Sequence, residues 1–234
     1  MTNRERETFC RIAASFFYPP DEHLVDLVED GSLYTVLEKY GPIFAADETR
    51  LNGFRPEGKG RLLLPDLKAE YDRLFAGWTN DAVPLVESCY KPWTEDPTCG
   101  LPFALEKGLL MGDPALHLLE IYRQCGLEMK EEFRGCPDHL VLELEFLSYL
   151  YRWATDREIR LFIEGHLDWV PLLRESCEGH RPHPFYRRAI EVVDLFLITE
   201  RKRLEIEAHG KRKERVFFNA SSREHASRPG LWEG

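Results

Sequence analysis

Strand signal is nearly absent from this chain: alternation of polar and apolar residues is never sustained over the length of a half-buried strand. Cysteine is sparse as well. The six, at 10, 89, 99, 125, 136 and 177, form no C-x-x-C pair, which argues against a dithiol motif and a dense disulfide scaffold. They read as reduced thiols. Long apolar runs are missing too, since Leu62-Leu63-Leu64 and Val192-Val193 are far too short to span a bilayer. The start, Met1-Thr2-Asn3-Arg4-Glu5-Arg6-Glu7, is mixed in charge and leads into no signal-peptide-like stretch. With a mean hydropathy of -0.41, these absences predict a soluble, cytoplasmic chain that does not insert into a membrane.

Signature motifs are lacking in the same way. No G-x-G-x-x-G or G-x-x-x-x-G-K-[ST] offers a phosphate cradle. No G-x-S-x-G or H-E-x-x-H marks a hydrolase or zinc peptidase. Positive charge is outnumbered except at the end. Residues 211–234 hold six Lys/Arg against three Asp/Glu, leaving 25 against 38 for residues 1–210, whereas the whole chain carries -10. An acidic body disfavours nucleic acid, whose phosphates need clustered cations. It is compatible with basic partners, and equally with simple solubility.

What is present is helical periodicity. Phe9, Ile12, Ala13, Phe16 and Phe17 share one face of a first helix that Pro19-Pro20 ends. Asp21 to Glu29 and Ser32 to about Ala45 read as two more helices, and residues 47–60 as a loop. Pro65 starts a helix with Leu67, Tyr71, Leu74 and Phe75 inward. Residues 78–102, broken by Pro84, Pro92, Pro97 and Pro102, form a long loop whose Trp78, Val83, Leu85, Val86, Tyr90 and Trp93 predict that it is packed. Asp113 caps a helix with Leu116, Leu119 and Tyr122 inward, closed by Gly126. Pro137 begins the strongest helix, to about Ala154, with Leu140, Leu144, Leu147 and Tyr151 inward. Asp156 caps the next, through Val170, and Pro184 starts the last, to Gly210. The expectation is an all-α bundle of about eight to ten helices over 1–210, followed by a basic, mobile tail at 211–234. Residues 47–60 or 126–137 are candidate hinges.

Two clusters carry chemistry. Cys177, His180 and His183 place a thiol and two imidazoles in one loop, so a metal-binding protein or metalloenzyme is the alternative reading. Against it, a structural zinc needs a fourth ligand. The second cluster is Asp138-His139. Asp138 in a first helical turn complements the positive helix end. His139 there is disfavoured when protonated, so a neutral imidazole making a specific hydrogen bond is expected. A catalytic use would need a nucleophile, and Ser88, Cys89 and Ser148 lie in no motif that selects one.

These residues and their surroundings resemble the TorD/DmsD/NarJ family of redox-enzyme maturation chaperones. The likeness is carried by Tyr71-Asp72-Arg73-Leu74-Phe75 with Val86-Glu87-Ser88-Cys89-Tyr90, and by the stretch from Gly112 to Gly126-Leu127. Its most specific part is Cys136-Pro137-Asp138-His139-Leu140 continuing to Leu147, and His183-Pro184-Phe185-Tyr186 completes it. The resemblance implies an all-helical, TorD-like, non-catalytic chaperone without a cofactor. It implies a cytoplasmic protein, monomer or homodimer, that binds the catalytic subunit of a molybdopterin oxidoreductase, its twin-arginine signal peptide, or both, during cofactor insertion and assembly. By the same resemblance Asp138 and His139 recognise the peptide, with Pro137, Glu87, Tyr90, Trp78 and Glu143 as further contacts. Paired guanidinium groups beside an apolar stretch call for carboxylates at the rim of a hydrophobic groove. For Glu143 a solvated helix face is the stronger expectation.

Overall fold

A computed structural model of the chain describes residues 1–41, 48–55, 64–77 and 82–204. Trp78 and the stretch 211–234 lie outside the described residues. Among those described the fold is all-α, with nine α-helices, three 3-10 turns and two isolated bridges in place of strands. The helices are α1 (Asn3–Ser15), α2 (Glu22–Glu29), α3 (Ser32–Glu38), α4 (Leu64–Leu74), α5 (Asp113–Gln124), α6 (Leu140–Trp153), α7 (Asp156–His166), α8 (Val170–Gly179) and α9 (Pro184–Arg203). None of them is long and apolar enough to cross a membrane.

The chain divides into two compact units woven from separate stretches. The first comprises Met1–Ala14 and Val86–Trp169, closed by Leu204; the second comprises Ser15–Leu85 and Val170–Arg203. In the second unit an aromatic cluster fills the core. Phe16 packs on Phe54 and edge-on to Phe185, and Phe75 meets Tyr71 and Tyr186. The two buried phenols each reach a backbone carbonyl, Tyr71 that of Phe17 (3.1 Å) and Tyr186 that of Leu67 (3.2 Å). This satisfies the polar tips that aromatic burial brings inside.

The first unit is organised around α6. Eleven of its fourteen residues are buried, which marks a helix surrounded by protein rather than one with a single inward stripe. Phe146 packs against Tyr122 of α5 and Phe162 of α7. α5 ends in a left-handed Gly126 (φ 67°), with Gly126 N–H donating to Arg123 O and Leu127 N–H to Tyr122 O, both at 3.0 Å. That pattern satisfies the last carbonyls and favours glycine.

Several boundaries and faces differ from the sequence expectation. On α5 the buried stripe is Ala115, Leu118, Ile121 and Tyr122, while Leu116 is 49 % exposed. The cap of α5 is Gly112, not Asp113. The strongest helix starts at Leu140 with His139 as its cap, so Pro137 and Asp138 precede it. The helix after it is two helices, α7 and α8, because Pro171 in the first turn of α8 has no N–H to continue the earlier ladder. α7 is capped by Thr155, not Asp156: Thr155 Oγ1 accepts from Glu158 N–H and Glu158 accepts in return from Thr155 N–H. Thr155→Ala is expected to lower stability by about 0.5–2 kcal/mol in urea unfolding, with Thr155→Ser close to the parent.

Candidate functional site

The Pro137-Asp138-His139 run lies where the chain turns into α6, and the segment 86–90 docks onto it. Val86 and His139 form an antiparallel bridge, and Glu87 N–H donates to Asp138 O at 2.9 Å. Asp138 does not face the helix end. Its Oδ2 accepts from Ser88 N–H at 2.8 Å and from the Ser88 hydroxyl. His139 takes the capping position, its Nδ1 accepting from Val141 N–H at 3.2 Å. That bond requires an unprotonated Nδ1, and the protein packed around the half-buried ring lowers its pKa to about 4. Tyr122 hydroxyl donates to Pro137 O at 3.2 Å, and the Phe133 ring lies 5.1 Å from that of His139.

Beneath this junction runs a buried charge cluster. Glu87, wholly inside, accepts from Lys91 Nζ and pairs with His166 Nδ1 at 2.9 Å. Lys91 also pairs with Asp168 and donates to Gly165 O at 2.7 Å. His166 Nε2 meets His117 Nδ1 at 2.9 Å. An ionised Glu87 only accepts, so His166 Nδ1 carries the hydrogen in that pairing. Burial opposes ionisation of Glu87, but the His166 and Lys91 charges outweigh it and hold the carboxyl below its ordinary value. Lys91 is held above its own by Glu87 and Asp168, against desolvation.

Glu143 is the outlier. It is fully buried on α6, where Trp169 Nε1–H donates to its Oε2 at 3.0 Å, while Oε1 has no hydrogen-bond partner among the described residues. The Trp169 ring stacks on Tyr90 at 5.1 Å. Desolvation, then the nearby Glu87 and Asp138 charges, pushes the Glu143 carboxyl well above its ordinary value of 4.5. The folded chain thus holds a proton that the unfolded chain releases, and this contribution to stability falls as pH rises above about 4.5. Glu143→Gln keeps an acceptor for Trp169 and removes the titration. Its unfolding midpoint in urea is expected to exceed the parent's at pH 8 and to lose that advantage at pH 4. The slope removed is about 1.4 kcal/mol per pH unit.

The expectation of carboxylates on an open rim is therefore corrected for all three acids. Asp138, Glu87 and Glu143 are each 0 % exposed, because Ser88, the Lys91–His166 pair and Trp169 respectively draw them inward. Glu143 is not on a solvated face. Pro137 is buried, whereas His139 and Tyr90 stay half-buried with Cys89 and Cys136. The thiols are held protonated mainly by desolvation, Cys89 pushed up to about 12 and Cys136 to about 11. Among the suggested nucleophiles, the Ser88 hydroxyl is spent on Asp138 rather than on His139, and Ser148 is buried.

Ser88's bonding, Lys91, His166 and Trp169 escaped the sequence reading. Only the Glu87–Lys91 spacing of four carried a local signal. Cys177, His180 and His183 do not converge. His180 Nδ1 pairs with Ser176 O at 2.8 Å, His183 Nδ1 accepts from Phe185 N–H at 3.2 Å, and Cys177 is buried. Among the described residues, no three or more His, Cys, Asp or Glu side chains are grouped to hold a metal ion.

Comparison with known proteins gives four matches. A family model described as nitrate reductase delta subunit matches residues 45–181, more than half of the 234-residue chain. A chaperone protein TorD from Photobacterium profundum is 28 % identical over 112 residues, 41 % of this chain and 52 % of its own length. One from Vibrio cholerae is 27 % identical over 125 residues, 47 % and 57 % of the two lengths. The matches to these curated relatives thus span little more than half of the relatives' length. A solved structure of an Archaeoglobus fulgidus protein assigned to redox enzyme maturation is 22 % identical with a TM-score of 0.48, covering 86 % of this chain and 93 % of that one. That last likeness is too loose to carry an argument.

Proposed function

The chain belongs to the nitrate reductase delta subunit family, the TorD/DmsD/NarJ group of redox-enzyme maturation chaperones, and from that membership we propose that it is a cytoplasmic, non-catalytic chaperone for a molybdopterin oxidoreductase. It binds the catalytic subunit of that enzyme, or the twin-arginine signal peptide ahead of it, while the cofactor is inserted. The observation that carries the reading is the family match over residues 45–181, which encloses the Asp138 junction and the charge cluster beneath it. Within the junction, half-buried His139 and Tyr90 meet the peptide. Buried Asp138, Pro137, Glu87 and Glu143 hold the two segments in register and act as positioning residues. Trp78 is a further peptide contact on the sequence resemblance alone.

The neutral His139 ring suits such a surface, because it offers an aromatic face and polar nitrogens without repelling guanidinium groups. Its replacement by asparagine keeps a side chain that caps helices well. His139→Asn is therefore expected to melt like the parent yet capture a molybdoenzyme precursor about tenfold less tightly, equivalent to ~1.4 kcal/mol. Undiminished capture by both His139→Asn and Tyr90→Ala would remove these two residues from the site. Failure of the parent chain to capture any such precursor would remove the function.

A further inference from the structure

Six large apolar side chains are exposed among the described residues, and three of them, Leu101, Leu105 and Leu116, belong to one stretch of the first unit. Leu105 is 78 % exposed. The backbone beneath it is nevertheless well bonded. Trp93 N–H donates to Glu106 O (2.8 Å), Thr94 N–H to Ala104 O (2.9 Å) and Asp113 N–H to Trp93 O (2.7 Å). Thr94 Oγ1 donates to Asp113 Oδ2 at 2.6 Å, and Phe103 packs edge-on to Trp93. Trp93-Thr94 is thus a common floor for the turn that bears Leu101 and Leu105 and for the start of α5, which bears Leu116. The approach is close enough that a Cβ on Gly112 would lie 2.4 Å from Trp93 O. Leucines held out on such a frame give up little freedom when a partner covers them.

The charges along this stretch are mostly negative. Between residues 94 and 116 the acids are Glu95, Asp96, Glu106 and Asp113, all exposed, against the single cation Lys107. Exposed leucines interspersed along the chain with exposed carboxylates select a segment in which apolar residues adjoin Lys or Arg. Apolar burial then supplies most of the affinity, and the acids reject acidic partners. A second copy of this chain fits poorly, because a twofold contact would bring the same acidic stretch against itself.

We infer that Leu101, Leu105 and Leu116 with the carboxylates of the same stretch form a second docking surface, which takes the apolar stretch of a basic client peptide. This inference rests on the proposed chaperone function and extends it. Gly108 N–H donates to Ser88 O at 2.9 Å, so the leucine-bearing stretch is tied to the same Ser88 that Asp138 holds. One peptide engages both places.

The test is fluorescence anisotropy on the full chain, with a labelled synthetic peptide carrying paired arginines ahead of a leucine-alanine stretch. A twin in which glutamates replace the arginines is the control. The parent is expected to bind the arginine peptide and not its twin. The double variant Leu101→Ser/Leu105→Ser should melt like the parent and bind at least about tenfold more weakly. Glu106→Lys should weaken the arginine peptide and improve the glutamate twin. Unchanged affinity in these variants, with loss in His139→Asn, would overturn this surface and leave the chaperone reading standing. No binding by the parent would overturn both. Loss of self-association in the leucine variant with unchanged peptide affinity would assign the leucines to contacts between copies, and the inference would fail.

Discussion

Glu87→Ala is expected to lower the unfolding free energy by about 3–5 kcal/mol, the scale on which removing one partner of a buried ion pair acts. Glu87 is wholly inside and serves two donors, the Lys91 ammonium and the His166 ring. Alanine leaves both facing a void. Lys91 keeps Asp168 and Gly165 O, which places the loss near the lower end of that range. His166 keeps its pairing with His117. Glu87→Gln, with an acceptor in the same place, should lose less. A double replacement of Glu87 and Lys91 by apolar residues of similar volume should lose less than Glu87→Ala, since no charge is then stranded.

The pH dependence supplies an independent check. Glu87 titrates below its ordinary value of 4.5 in the folded chain, so its contribution is fully present above that pH and is lost as pH falls through the depressed value. Lys91 is raised above its ordinary 10.5, so its contribution is present below that pH and is lost on the alkaline side. The gap between parent and Glu87→Ala should therefore be widest near neutrality and shrink in acid. A gap independent of pH from 3 to 7 would mean that packing, not charge, accounts for the cost.

The second large effect concerns Asp138. Asp138→Ala is expected to cost about 2–4 kcal/mol, since it leaves the N–H and hydroxyl of Ser88, itself 1 % exposed, without their shared acceptor. Burial raises the Asp138 carboxyl although the two Ser88 donors pull it back, so the negative charge is not what stabilises the junction. The acceptor is. Asp138→Asn, which preserves an oxygen without the charge, should accordingly recover most of the lost stability at pH 7. Hydrogen exchange adds a local readout: in the alanine variant the amides of Ser88 and Gly108 should exchange faster, because they belong to the segments that Asp138 pins. Equal destabilisation by alanine and asparagine would show that the charge matters after all.

Much of the fold was legible because helices are local. Apolar residues at helical spacing, the prolines that open α4 and α9, and the glycine that ends α5 act within a few residues of where they stand. α5 shows where this runs out. The run Leu116-His117-Leu118-Leu119 is apolar on two adjacent faces, and periodicity alone cannot say which one goes inside. Packing chose Leu118 with Ala115, Ile121 and Tyr122, and left Leu116 out. At α7 and α8 the apolar pattern continues across a break that Pro171 imposes on the backbone.

The candidate site divides along the same line. The residues themselves drew attention to Asp138-His139 and put a neutral histidine at a helix start, while the family resemblance added Pro137 and Val86 to Tyr90. Neither could reveal that Asp138 turns to Ser88, 50 positions away, that Glu87 pairs with His166 across 79, or that Trp169 reaches Glu143 across 26. Local spacing determines which side chains share a helix face, because the backbone repeats every few residues. Whether a carboxylate on that face meets water or a buried donor depends on which distant segment packs against it, and only the tertiary structure decides that.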